Sequence, residues 1–246
     1  MDDNPDHPFT GGRPTPLVAA TRFVQHHFPR CVFAVLAGSA AHGEPAPLSD
    51  LDLVVIAADE QPRWATYLEW GWPIEVFILT PTMYRAAFAR NVQRRRPLLP
   101  ILCVEGIVLV DRDGCGSEVR AEARRLLDAG PAPLSHEETA EYRYALTWMR
   151  DDLADAEDAD EARLIGHDVA TTAAQCYLAY RRHWVGRGKW LLRDLRDADP
   201  ARAHEFAQAL GALYRHGHKA SLLAFADAIL QLVGGRRFEG QEDPWG

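Results

Sequence analysis

The chain has 246 residues, 47% of them hydrophobic and 25% charged, which is typical of a globular protein with an extensive core. Its formal net charge of −8 argues against a general nucleic-acid binder, which would hold phosphates with clustered Lys and Arg, and favours a cationic small partner. No apolar run approaches the roughly 18 residues that span a bilayer, and no secretion signal is recognisable, so we expect a cytoplasmic protein without membrane contact.

The first predicted elements are a helix and two strands. Apolar residues at helical spacing predict a helix over residues 17–28, which ends before Pro29. The preceding residues, rich in Pro, Gly and Asp, predict a mobile arm. Apolar runs at residues 32–36 and 53–56 predict buried strands, so the segment between them connects two strand ends.

This connection carries the most informative motif of the chain, Gly38-Ser39-Ala40-Ala41-His42-Gly43 followed by Ser49-Asp50-Leu51-Asp52. Gly38 permits a sharp turn, and Ser39 begins a short helical turn whose hydroxyl and backbone N–H groups suit a phosphate. Asp50 and Asp52 stand two residues apart on a strand, so their side chains leave the same face with Cα atoms roughly 6.6 to 6.8 Å apart. Such a carboxylate pair beside a polyphosphate suits Mg²⁺, whereas zinc prefers nitrogen or sulfur ligands.

A third acid, Glu75, interrupts the apolar run of residues 74–79, which predicts another strand. An unpaired charge in a strand core is costly, so we expect Glu75 to bind a metal, to pair with a cation or to act as a base. If this strand pairs beside the strand of Asp50, the three acids form one cluster.

The rest of the chain divides at a Pro-Ala-Pro hinge, residues 131–133. Before it, residues 60–70 and 81–91 predict helices and residues 107–110 predict a strand. After it, Ser135 and Glu138 predict a capping box, and the pattern is helical over residues 137–156, 161–184, 191–197, 201–214 and 219–232. We therefore predict two domains, residues 1–130 and 131–246, with Trp245 as a possible anchor of the tail.

The motifs resemble the signature of the polymerase β-like nucleotidyltransferases, which combines Gly-Ser, a nearby Gly, Ser-Asp-x-Asp and an acid on a following strand. The matching positions are Gly38, Ser39, Gly43, Ser49, Asp50, Asp52 and Glu75. Spacing and the helical half resemble the aminoglycoside adenylyltransferases that modify streptomycin and spectinomycin and so confer antibiotic resistance. The resemblance implies an α/β (α+β) fold: an N-terminal catalytic domain with a small mixed sheet, then a C-terminal all-helical bundle that binds substrate and nucleotide.

The resemblance also implies an activity, the transfer of a nucleoside monophosphate, AMP from ATP, to a hydroxyl of a small cationic acceptor with release of pyrophosphate. Asp50 and Asp52 would hold one or two Mg²⁺ ions. Glu75 is the base in streptomycin-modifying relatives and a metal ligand in other members of the superfamily, and the sequence leaves both roles open.

The nucleotide would contact residues from both halves of the chain. The candidates in the motif are Gly38, Ser39 and Ser49, with His42 as a weaker one. In related enzymes a Lys of the helical domain contacts the phosphates, and Lys189 is the candidate by position; the alternative is a surface Lys whose stem covers Trp190.

Other functions remain open at this point. The chain could be a non-catalytic nucleotide-binding or regulatory module of the same fold, although the complete motif argues against this. It could also adenylylate a protein or an RNA end, although its acidity argues against RNA. The run of seven acids over residues 151–161 is either a solvated surface or, through Asp151 or Asp155, a site for the acceptor's ammonium groups. Both a monomer and a homodimer are compatible with the sequence.

Overall fold

The structure is a computed structural model that describes residues 13–41 and 49–239. The chain divides into two compact units, Met1–Ala129 and Gly130–Gly246. Residues 1–12 of the predicted N-terminal arm, His42, Gly43 and Trp245 lie outside the described residues. The described end of the arm is held in place, because the Trp72 Nε1–H donates to the Pro14 carbonyl oxygen at 2.9 Å. None of the described helices combines the length and the apolar character needed to cross a bilayer.

In its described residues the first unit is built around one mixed sheet. Its strands are β1 (Phe33–Ala37), β2 (Leu51–Ile56), β3 (Arg63–Glu69), β4 (Trp72–Leu79) and β5 (Ile107–Asp111). Their spatial order is β3-β4-β2-β1-β5, with β2 and β4 parallel and the other neighbours antiparallel. The parallel pair places the predicted strand of Glu75 directly beside the strand of Asp52.

Helices cover both faces of this sheet. They are α1 (Pro16–His27), α2 (Gly38–Ala41), α3 (Tyr84–Gln93), α4 (Leu98–Glu105) and α5 (Cys115–Ala129). Alternate residues of β2 enter opposite cores: Leu53 packs with α1, while Val54 packs with α3, α4 and α5. Residues 53–56 of β2 are buried on both faces of the sheet, and such a strand has a continuous apolar run, which is why this part of β2 could be predicted.

The predicted helix over residues 60–70 is wrong, because this segment forms β3, an edge strand paired along β4. Both faces of β3 carry large side chains, so no alternation of apolar and polar residues marks the strand in the sequence. Trp70 and Gly71 both have positive φ, 49° and 80°, the conformation of a tight two-residue hairpin turn. Tertiary pairing across this turn outweighs the local helical preference. Two helices, α4 and α5, were not predicted.

The described part of the second unit is helical. Its helices are α6 (His136–Asp155), α7 (Ala159–Tyr180), α8 (Lys189–Ala198), α9 (Pro200–His216) and α10 (Ala220–Leu232), which share one apolar core. The predicted capping box is confirmed: the Glu138 N–H donates to Ser135 Oγ at 3.0 Å, and the Ser135 N–H donates to Glu138 Oε2 at 2.8 Å. A mixed sheet with helices followed by a helical region confirms the predicted α+β architecture.

Candidate metal centre

Three carboxylates come together where β2 begins and β4 runs beside it. In the parallel register Asp52 is the direct partner of Glu75, and Asp50 lies two residues before Asp52. One ligand oxygen from each acid can be chosen so that all three lie within 4.8 Å of one another. Asp50 is exposed, whereas Asp52 and Glu75 are partly buried. The three acids therefore form the cluster expected from strand pairing, although Glu75 is not fully enclosed.

The donor set of this cluster consists of carboxylate oxygens, which suit hard cations such as Mg²⁺ rather than zinc. Ligands of one Mg²⁺ at about 2.1 Å lie no more than about 4.2 Å apart. The chosen oxygens of the three acids all lie within 4.8 Å of one another, a spread comparable with this span, so the cluster suits one shared ion.

Gly38 makes room for one of these acids. It follows Ala37, the β1 residue opposite Asp52, and begins α2 with a φ of +70°, which confirms the predicted sharp turn. A Cβ atom at this position would overlap the Asp52 carboxylate, with Oδ2 as the nearest atom. The absence of a side chain at Gly38 therefore lets Asp52 occupy its place in the cluster.

Ser39 and Ser49 lie on either side of residues 42–48, which the structure does not describe. Their hydroxyl groups are hydrogen-bonded to each other at 3.1 Å, Ser39 being exposed and Ser49 buried. The bond joins the residue after Gly38 to the residue before Asp50. The nucleotide-binding roles of Gly38, Ser39 and Ser49 stay predictions.

Trp64 is a neighbour of the cluster that the sequence reasoning missed. Its indole Nε1–H donates a hydrogen bond to Glu75 Oε1 at 2.5 Å, and 60% of its surface is exposed. The missed signal is the Trp70-Gly71 turn, because a hairpin at that point would have placed residues 63–69 beside the strand of Glu75.

Comparisons with known proteins give little further information. No protein-family model matches the sequence, and no curated protein matches it. One solved structure that resembles it is a nucleotidyltransferase-like protein from Exiguobacterium sibiricum 255-15, with 12% sequence identity and a TM-score of 0.49 over 87% of this chain and 74% of that one. At these values the likeness supports no functional assignment.

The predicted residues of the second unit have local partners. Lys189 is the first residue of α8 and is exposed, with Nζ 5.7 Å from the centroid of the Trp190 ring, the arrangement expected of a surface Lys. Asp151 is ion-paired with Arg236 and with Arg150, and Arg150 also pairs with Asp227. A role of Asp151 in holding a cationic acceptor would need these pairs to open.

Proposed function

We propose that this protein is a Mg²⁺-dependent nucleotidyltransferase that moves AMP from ATP to a hydroxyl of a small cationic acceptor such as an aminoglycoside. The observation that carries the proposal is the convergence of the Asp50, Asp52 and Glu75 carboxylates. It is supported by the Gly-Ser turn that packs against Asp52 at the end of the neighbouring strand.

Each side chain has a defined task in this reaction. Asp50 and Asp52 would hold Mg²⁺, which would supply neutralisation of phosphate charge and stabilisation of the attacking and leaving oxygens. Ser39 and Ser49 donate hydrogen bonds to phosphate oxygens. Glu75 either accepts the proton of the acceptor hydroxyl or ligates a second ion.

The bonds that change follow from this assignment. The acceptor oxygen forms a bond to the α-phosphorus, the bond from that phosphorus to the bridging oxygen breaks, and pyrophosphate leaves with the electron pair. The hydroxyl proton passes to Glu75 or, if Glu75 is a ligand, to another base. The acceptor class rests on the net charge of −8, which favours a cation.

The decisive experiment measures transfer of label from α-phosphate-labelled ATP to a panel of aminoglycosides and related amino sugars. We expect transfer that requires Mg²⁺ and falls by about a hundredfold or more in Asp52→Asn, since a carboxamide is a much poorer ligand than a carboxylate. Activity that survives in this variant at a tenth of the wild-type level would refute the metal assignment.

Two other results would redirect the proposal. Binding of ATP without transfer to any amino sugar would favour a nucleotide-binding or regulatory module. Labelling of a protein or of an RNA end would retain the chemistry and change the acceptor.

A further inference from the structure

Trp64 makes a contact with the candidate site that its packing does not explain. The core on its face of the sheet contains Phe33 of β1, Val54 of β2 and Leu79 of β4, together with residues of α3, α4 and α5. The β3 residues of this face are not part of that core, and Trp64 and Leu68 are 60% and 61% exposed. An indole on such an open strand face contributes little buried area, so its stabilising effect on the core is small.

The strand register explains how the indole reaches the acid. Thr66 is the direct partner of Glu75, and Trp64 lies two residues along β3 on the same face. Diagonal neighbours of this kind are about 7 to 8 Å apart, within reach of a large aromatic side chain. Because an indole nitrogen can only donate, the direction of the bond to Glu75 Oε1 is unambiguous.

We propose that Trp64 is a positioning residue, whose indole N–H holds the Glu75 carboxylate toward Asp50 and Asp52. The proposal rests on the proposed metal centre. A Glu side chain has three rotatable bonds, and one hydrogen bond from the neighbouring strand restricts them while a second oxygen remains for a metal or a proton. Partners that hold ligands in this way typically contribute about 10- to 100-fold to metal affinity or activity.

The test uses Tb³⁺, a cation that binds hard oxygen ligands, and the full chain. Tb³⁺ luminescence is excited directly at the ion rather than by energy transfer from an indole, so the loss of a tryptophan does not itself change the signal. In Trp64→Phe, which keeps an aromatic ring and loses the N–H, we expect the Tb³⁺ dissociation constant to rise by about tenfold. Trp190→Phe is the matched control, because it removes an indole of similar exposure, 54%, in the second unit and should leave the metal affinity unchanged.

A second measurement observes the hydrogen bond itself. The indole N–H resonance of Trp64 is the one missing from the Trp64→Phe spectrum. We expect addition of Mg²⁺ to shift this resonance in the wild-type protein and not in Asp52→Asn. Thermal unfolding of Trp64→Phe should match the wild type, which separates positioning from a general loss of structure.

The outcomes separate this proposal from the proposed function. If Trp64→Phe binds Tb³⁺ as tightly as the wild type while Asp52→Asn does not bind it, Trp64 does not position Glu75 and the metal centre stands. If Asp52→Asn also binds as tightly as the wild type, the metal centre is wrong and the role of Trp64 is refuted with it.

Discussion

At the scale of single residues, the space around Asp52 is set by the neighbouring glycine. Gly38 has a left-handed backbone, and a Cβ atom there would overlap the Asp52 carboxylate. A substitution at Gly38 therefore has two separable effects, one on the backbone and one on the acid.

We predict that Gly38→Ala weakens metal binding by displacing Asp52 and lowers stability by about 1 to 2 kcal/mol through backbone strain. Gly114→Ala is the matched control, since Gly114 has a similar φ of +73° and nothing within 4 Å of the added Cβ. Calorimetric Mn²⁺ titrations and urea denaturation of both variants measure the two effects. Equal metal affinities in the two variants would contradict this prediction, because they would show that Asp52 can move without weakening metal binding.

The acids of the site could be predicted, whereas their neighbour could not. Asp50, Asp52 and Glu75 stand out because each is charged beside or within an apolar strand, where an unpaired charge is energetically costly. No sequence pattern distinguishes Trp64 in this way, because its distance from Glu75 depends on the register between β3 and β4. A contact set by register is invisible until the strand itself is recognised.

At the scale of elements, the crossing of α7 with its neighbours depends on Gly166. A Cβ atom there would overlap the Leu213 side chain of α9 and come within 3.3 Å of Leu222 Cδ2 of α10. Both leucines are fully buried, so they have little room to move.

We predict that Gly166→Ala destabilises the protein by about 1 to 3 kcal/mol through overpacking, despite the better helix propensity of Ala. Gly211→Ala is the control within α9, because there the added Cβ meets the flexible end of Arg215. We expect it to be neutral or stabilising by up to about 1 kcal/mol. Urea denaturation compares the two, and a stabilising Gly166→Ala would disprove the close approach of the helices.

The elements that could be predicted from the sequence are those whose conformation depends on nearby residues in the chain rather than on contacts with other elements. The apolar run of residues 53–56 in β2 and the capping box of α6 can both be recognised from nearby residues alone. By contrast, β3 carries Tyr67 against Phe23 of α1 on one face and Trp64 on the other, so its apolar residues match a helix as well as a strand. Only the pairing with β4 resolves this ambiguity.

At the scale of the whole molecule, the three acids of the candidate site belong to one unit. Asp50, Asp52 and Glu75 all lie within Met1–Ala129, and the helices of Gly130–Gly246 share a core of their own. Metal binding and the folding of the helical unit should therefore be separable.

We predict that a fragment of residues 1–129 binds Mn²⁺ with an affinity within a few-fold of that of the full chain, since each of the three acids is retained. Residues 130–246 alone should give a helical circular dichroism spectrum and a cooperative unfolding transition. Calorimetry and thermal melts provide the measurements. If the first fragment is folded and yet does not bind Mn²⁺, groups from the second unit are needed at the site.

The open face of β3 has a consequence for how the protein can diversify. Residues 64, 66 and 68 lie next to the row that contains Glu75, yet their side chains are exposed and contribute little to the core. Sequence change at these three positions is therefore cheap for folding while it alters the surroundings of the acids. Under the proposed function, selection for new acceptors can act first on residues 66 and 68, while Trp64 and the proposed metal ligands on β2 and β4 stay as they are.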